Sequence, residues 1–163
     1  MYEFPGLQPH LIDGKTYGRL VSECGIKGIK DTTCTVEGIT DKIRHKGDSN
    51  VIQANMPYLF EAYKAGSRGV MATPTSCGGA FFRRFHDAFM SGDMKEAEQR
   101  FHEIILLDNA IDSGFNCSAK YLVQLQGIKN FLPINRGNCV LSPARLESLK
   151  AFHDWCVLNG LMK

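Results

Sequence analysis

The sequence predicts an α/β fold built on parallel strands. Short extended runs at residues 25–30, 50–54 and 69–73 alternate with segments of helical periodicity. Strands that alternate with helices run parallel and are joined by right-handed crossovers. The 163 residues, 44% of them apolar and 22% charged, suit one globular domain with its own core.

Residues 1–5 read as the last residues of a strand whose beginning is absent, followed by a turn-rich connection with Pro5, Gly6 and Pro9. Asp13 is placed to cap a helix over 14–23 with Leu20 and Val21 inward. In the extended run that follows, Ile26, Gly28 and Lys30 share one face, because strand side chains repeat every second residue. Thr35 caps a helix over 36–45 whose Ile39 and Ile43 stand four apart. After the strand at 50–54, Pro57 fits a first helical turn, and Leu59, Phe60, Ala62 and Tyr63 carry the helical pattern to a stop at Gly66.

The last predicted strand ends at Thr73. Gly78-Gly79 then leads into a helix with a stripe of Phe81, Phe82, Phe85 and Phe89, read as core or as an interface between barrels. Gly92-Asp93 separates it from a long helix reaching Asp112, with Ala97, Phe101, Ile104, Ile105 and Leu107 at helical spacing. A further helix covers 118–126, and after an irregular stretch Ser142 caps a final one with Pro143 in its first turn.

Lys30 closes its strand and precedes the polar turn Asp31-Thr32-Thr33. A lysine at the C-terminal end of an inward strand face stands where α/β barrels place their chemistry. Enclosure at such a position favours a neutral amine, which attacks a carbonyl to form a Schiff base. Asp31 reads as a residue that caps or orients the turn.

The chain opens Tyr2-Glu3-Phe4-Pro5-Gly6, runs about one βα unit to Gly28-Ile29-Lys30-Asp31, and later reads Ala65-Gly66-Ser67-Arg68-Gly69-Val70-Met71. In order and spacing this resembles the C-terminal half of the dihydrodipicolinate synthase / N-acetylneuraminate lyase family of class I aldolases. There a Tyr-X-X-Pro tyrosine ends the fifth barrel strand and a lysine ends the sixth. The resemblance implies the C-terminal half of a TIM (β/α)8 barrel plus additional C-terminal helices. Residues 1–163 would then form a single partial barrel domain, with βα units to about residue 90 and a helical extension over 91–163. Three strands and a stub are too few to close a barrel of eight, so a truncated gene or partial reading frame is expected.

By the same resemblance, Lys30 is the Schiff-base lysine and Tyr2 relays protons to and from the substrate carbonyl. Thr73, Thr75 and Ser76 become weaker candidates for lining the keto-acid pocket. The implied activity is a Schiff-base carbon–carbon lyase or synthase joining pyruvate or a related 2-keto acid to an aldehyde. The alternative is a non-catalytic remnant or pseudoenzyme subunit that binds a related chain. The truncated chain alone is expected to be inactive, since the family's keto-acid carboxylate loop follows its second strand. A homo-oligomer, or a requirement for the missing N-terminal half, follows from the open barrel.

Two departures bear on substrate. Dihydrodipicolinate synthases carry an arginine five positions after the tyrosine, where this chain has Leu7. An acidic aldehyde would lose a charge-assisted bond worth ~1.5–3 kcal/mol, which argues against the lysine-pathway aldehyde. After the seventh strand the family tends to Gly-Asp or Gly-Asn, where this chain has Ala54-Asn55.

Other classes find little support. A net charge of +2 with dispersed lysines and arginines gives no case for nucleic acid or a membrane surface. No apolar window reaches the ~18 residues of a membrane span and no leader pattern opens the chain, so the cytosol is the default. The six cysteines lack any Cys-X-X-Cys pair and read as reduced thiols, with Cys34 and Cys77 just beyond strand ends. No histidine pair has zinc-ligand spacing, no nicotinamide, flavin or pyridoxal motif is present, and an iminium mechanism requires no metal. The run Ser76-Cys77-Gly78-Gly79 has the form of a phosphate cradle before a helix, but lacks a lysine and P-loop spacing.

Overall fold

The computed structural model describes residues 1–6, 10–137 and 139–163. The chain divides into two compact units, Met1–Ala72 and Thr73–Lys163.

In the first unit, α1 (Gly14–Cys24) begins at Asp13, whose carboxylate accepts from the Thr16 N–H. α1 leads into β1 (Gly28–Asp31), which is followed by α2 (Val36–Arg44), capped by Thr35 as predicted. Next come β2 (Asn50–Gln53), a 3₁₀ turn (Met56–Tyr58) and α3 (Leu59–Ala65). Gly66 stops α3 at φ +116°, a conformation that a side chain would strain.

β1 and β2 pair in parallel, with Lys30 opposite Ile52 and Asp31 opposite Gln53. Tyr2 makes an isolated parallel bridge to Lys30, and Val70 makes one to Gln53. The predicted third strand is thus reduced to one bridge, closed by Gln53 N–H to the Gly69 carbonyl (3.0 Å) and Met71 N–H to the Gln53 carbonyl (2.9 Å). Pro74, one residue beyond the predicted strand end, offers no N–H to extend the pairing, and Thr73–Ser76 curls into a 3₁₀ turn instead.

Alternation decides which residues are buried. Ile29 and Val51 point to the helices and join Tyr17, Ile39, Ile43 and Ala62 in the core of this unit. Lys30 and Ile52 lie on the other, half-open face. Ile26, predicted to share that face, precedes the strand and packs on the helix-side core. Tyr17 goes deeper than Leu20 or Val21 because its hydroxyl meets the Ser49 hydroxyl at 2.6 Å, which satisfies the polar end of a buried ring.

The second unit follows its 3₁₀ turn with α4 (Gly79–Ser91), α5 (Met94–Asp112), α6 (Asn116–Leu125) and α7 (Pro143–Leu158). The phenylalanine stripe is core: Phe81, Phe82 and Phe85 are buried, and the Phe85 and Phe101 rings sit 6.5 Å apart. Among the described residues no helix is long and apolar enough to cross a membrane.

All six cysteines are free thiols, Cys24 and Cys34 exposed and Cys77, Cys117 and Cys156 buried. Burial pushes the Cys77 and Cys156 thiols up to about 12. A thiol reagent at neutral pH is therefore expected to modify Cys24 and Cys34 quickly, and Cys77 and Cys156 only after unfolding. Fast modification of Cys77 in the folded chain would contradict this burial.

Candidate active site

The site begins at the end of β1. Lys30 projects to the half-open face, while its backbone ties down the first residues of the chain. The Lys30 N–H donates to the Met1 carbonyl (3.0 Å) and the Glu3 N–H donates to the Lys30 carbonyl (3.1 Å). The terminal ammonium adds a bond to the Gly28 carbonyl (2.9 Å). This pairing sets Tyr2 beside Lys30, with the lysine Nζ 4.2 Å from the centroid of the tyrosine ring. The two groups predicted to carry the chemistry are brought together, and Tyr2 stays 58% exposed.

Behind them lies a cluster the sequence reading missed. Glu3 and Asp31 each follow one of the pair, and alternation turns both toward α2. There Lys42 donates to Glu3 Oε2 (2.5 Å), Asp31 Oδ1 (3.0 Å) and Thr33 Oγ1 (2.6 Å). Lys42 is 2% exposed and Asp31 fully buried. An ammonium has three donors, and each has found an acceptor. Asp31 orients the turn as predicted, accepting from the Thr33 N–H (3.0 Å) and hydroxyl (2.6 Å). Asn55 holds the same turn from β2's end, donating from Nδ2 to the Thr32 (2.8 Å) and Thr33 (3.1 Å) carbonyls.

One strain remains in this cluster. Asp31 Oδ2 and Gln53 Nε2, on residues paired across β1 and β2, are buried with no hydrogen-bond partner. A groove of about 660 Å³ in the first unit is lined by α2 and the loops beside it and includes neither Lys30 nor Tyr2.

Thr73, Thr75 and Ser76 belong to the 3₁₀ turn that opens the second unit. Ser76 spends its hydroxyl on the Thr73 carbonyl at 2.7 Å. Thr73 and Ser76 border a cavity of about 380 Å³ together with Lys120 and Arg136, and Thr75 does not. Gly78 has a packing reason to be glycine, since a Cβ there would lie 2.3 Å from Leu107 Cδ2 on α5. Leu7 lies outside the described residues.

No protein-family profile matches the chain. It is similar to the 4-hydroxy-tetrahydrodipicolinate synthases of Listeria monocytogenes and Listeria innocua, at 26% identity over 130 residues. Those matches cover 78% of this chain and 44% of the relatives, so the chain spans about half the length of the curated relatives it matches.

Among solved structures it is similar to a monomeric dihydrodipicolinate synthase variant, with a TM-score of 0.84, 20% identity, and 99% of this chain and 54% of that one covered. A prophage protein of the dihydrodipicolinic acid synthase family from E. coli K12, in complex with pyruvate, gives 0.82 at 19% identity, covering 96% and 55%. A protein named CdNal from Clostridium difficile, in complex with mannosamine, gives 0.83 at 15% identity, covering 94% and 53%. The fold is that of the C-terminal half of a TIM (β/α)8 barrel with additional C-terminal helices.

Proposed function

We propose that this chain, alike in sequence and fold to the C-terminal half of the dihydrodipicolinate synthase / N-acetylneuraminate lyase family, supplies the Schiff-base lysine of an aldolase-type lyase. The observation that carries the reading is Lys30 Nζ at 4.2 Å from the Tyr2 ring, at the C-terminal end of a parallel strand. The substrates are pyruvate or a related 2-keto acid and an aldehyde partner.

The chemistry follows from an amine beside a phenol. The neutral Lys30 amine adds to the keto carbon, and the carbinolamine loses water to leave an iminium. In cleavage, the electron pair of the breaking carbon–carbon bond flows into the iminium, giving an enamine and releasing the aldehyde. Protonation of the enamine carbon and hydrolysis then return the keto acid and the free lysine. Tyr2 donates and recovers the proton that moves at the carbinolamine and aldehyde oxygens. Thr73, Thr75 and Ser76 remain the proposed contacts to the keto acid. Leu7, in place of the synthases' arginine, favours an aldehyde without a carboxylate to be paired there. Borohydride reduction in the presence of pyruvate tests the reading, because it fixes an iminium as a stable secondary amine; no adduct on this chain, even within a completed barrel, would sink it.

A second reading, a non-catalytic subunit that binds a related chain, is favoured by the open face around the pair. Met1, Tyr2 and Met71 are 47%, 58% and 50% exposed, at the edges of a sheet whose outer pairings are isolated bridges. Such edges and apolar surface promote association. The 163-residue chain alone is expected to show little or no turnover and to sediment at micromolar concentration as a homodimer or larger species. Turnover matching full-length relatives, or a monomer that unfolds cooperatively, would overturn this expectation.

A further inference from the structure

The segment that carries Tyr2 is held to β1 by the backbone bonds of Met1, Glu3 and Lys30 and by the Thr32 hydroxyl, which donates to the Glu3 carbonyl (2.5 Å). Its apolar side chains do not anchor it, since Met1, Tyr2 and Phe4 are each more than two-fifths exposed. Glu3 does, at 8% exposure, with Oε1 accepting from the Ile12 N–H (2.6 Å) and Oε2 from Lys42 Nζ (2.5 Å). Lys42 also grips Asp31 (3.0 Å) and Thr33 (2.6 Å), the residues that follow Lys30.

We propose that Lys42 is a positioning residue, drawing Glu3 and Asp31 to one point on the helix side and thereby fixing Tyr2 beside Lys30 on the other. The inference rests on Tyr2 and Lys30 as the reacting pair, but the placement it describes exists whether or not the chain turns over substrate. Strand alternation supplies the lever. The backbone from Tyr2 to Glu3 and from Lys30 to Asp31 is extended, so pinning each carboxylate fixes the direction of the residue before it. The tetrahedral ammonium suits this task because its three donors point to three separate acceptors. A planar guanidinium would restore the charge without that arrangement.

The Tyr2 ring current provides a readout independent of catalysis. In the 163-residue chain, the Lys30 Cε protons should resonate upfield of an ordinary lysine, and Tyr2→Leu defines the position without the ring. Lys42→Arg and Glu3→Gln are expected to abolish the upfield displacement while the β1 and β2 amide signals stay in place. Glu3→Gln keeps the Lys42–Asp31 pair, so it decides the matter if Lys42→Arg does not fold. Retention of the displacement in folded Glu3→Gln overturns the proposal, as does its absence from the wild-type chain. Loss of the β1 and β2 signals together with the displacement in Glu3→Gln also overturns it, because the cluster would then hold the unit rather than place the pair. A failure to trap pyruvate leaves this readout unmoved, so the two ideas fail separately.

Discussion

Lys30→Arg is expected to abolish the borohydride-trapped adduct in a barrel completed with a family N-terminal half, while leaving the fold intact. Arginine preserves a positive charge and a long aliphatic stem, so the contact with the Tyr2 ring survives in kind. Its guanidinium stays protonated and has no free electron pair to attack a carbonyl. The effect is therefore on chemistry and not on folding. Lys27 is a poor substitute, because it lies outside β1 and three positions away, an odd separation that turns it from the Lys30 face. Mass spectrometry of the reduced protein decides the point. An adduct undiminished in Lys30→Arg would name another lysine as the nucleophile.

Lys42→Ala is expected to lower the unfolding free energy of the chain by about 3–5 kcal/mol, the cost of removing one partner from a buried ion pair. The change strands Glu3 and Asp31, both buried, without their common cation, and takes a donor from Thr33. Removing the whole cluster, as Lys42→Ala with Glu3→Gln and Asp31→Asn, should cost less than Lys42→Ala alone, since no uncompensated charge is left behind. Denaturant midpoints at constant slope measure both. A loss below about 1 kcal/mol for Lys42→Ala would mean that the cluster is hydrated in solution.

Local chemistry made much of this legible in the sequence. Asp13, Thr35, Ser142 and Gly66 each cap or stop a helix where predicted, because a cap is a bond between near neighbours. The parallel sheet followed from the alternation of strands and helices. Features set by contacts across the unit were harder to read. Ile26 looked like a strand residue by its spacing, but pairing with β2 starts only at Gly28. The strand expected to end at Thr73 survives as one bridge, because no local rule says how far a partner runs alongside it. α6 starts at Asn116 and not at Ser118, since Phe115 precedes it at φ 37° and no side chain caps it.

The candidate site divides along the same line. Lys30 and Tyr2 were legible through motif and order, and the structure sets them side by side. No motif singles out Lys42 in the sequence, although its position was a usable signal. It stands three after Ile39 and one before Ile43, on the stripe that faces the sheet. A lysine there, opposite two carboxylates that alternation turns inward, calls for a buried pair. The exact partners needed the fold.

The proposed chemistry turns on which amine meets the substrate. Reduction with borohydride in pyruvate, followed by peptide mapping of this chain in a completed barrel, measures that directly. The adduct is predicted on the peptide carrying Lys30 and on no other lysine, with the pyruvate-derived group as a secondary amine. An adduct on another lysine, or none at Lys30 while a full-length relative is trapped in the same assay, would contradict it.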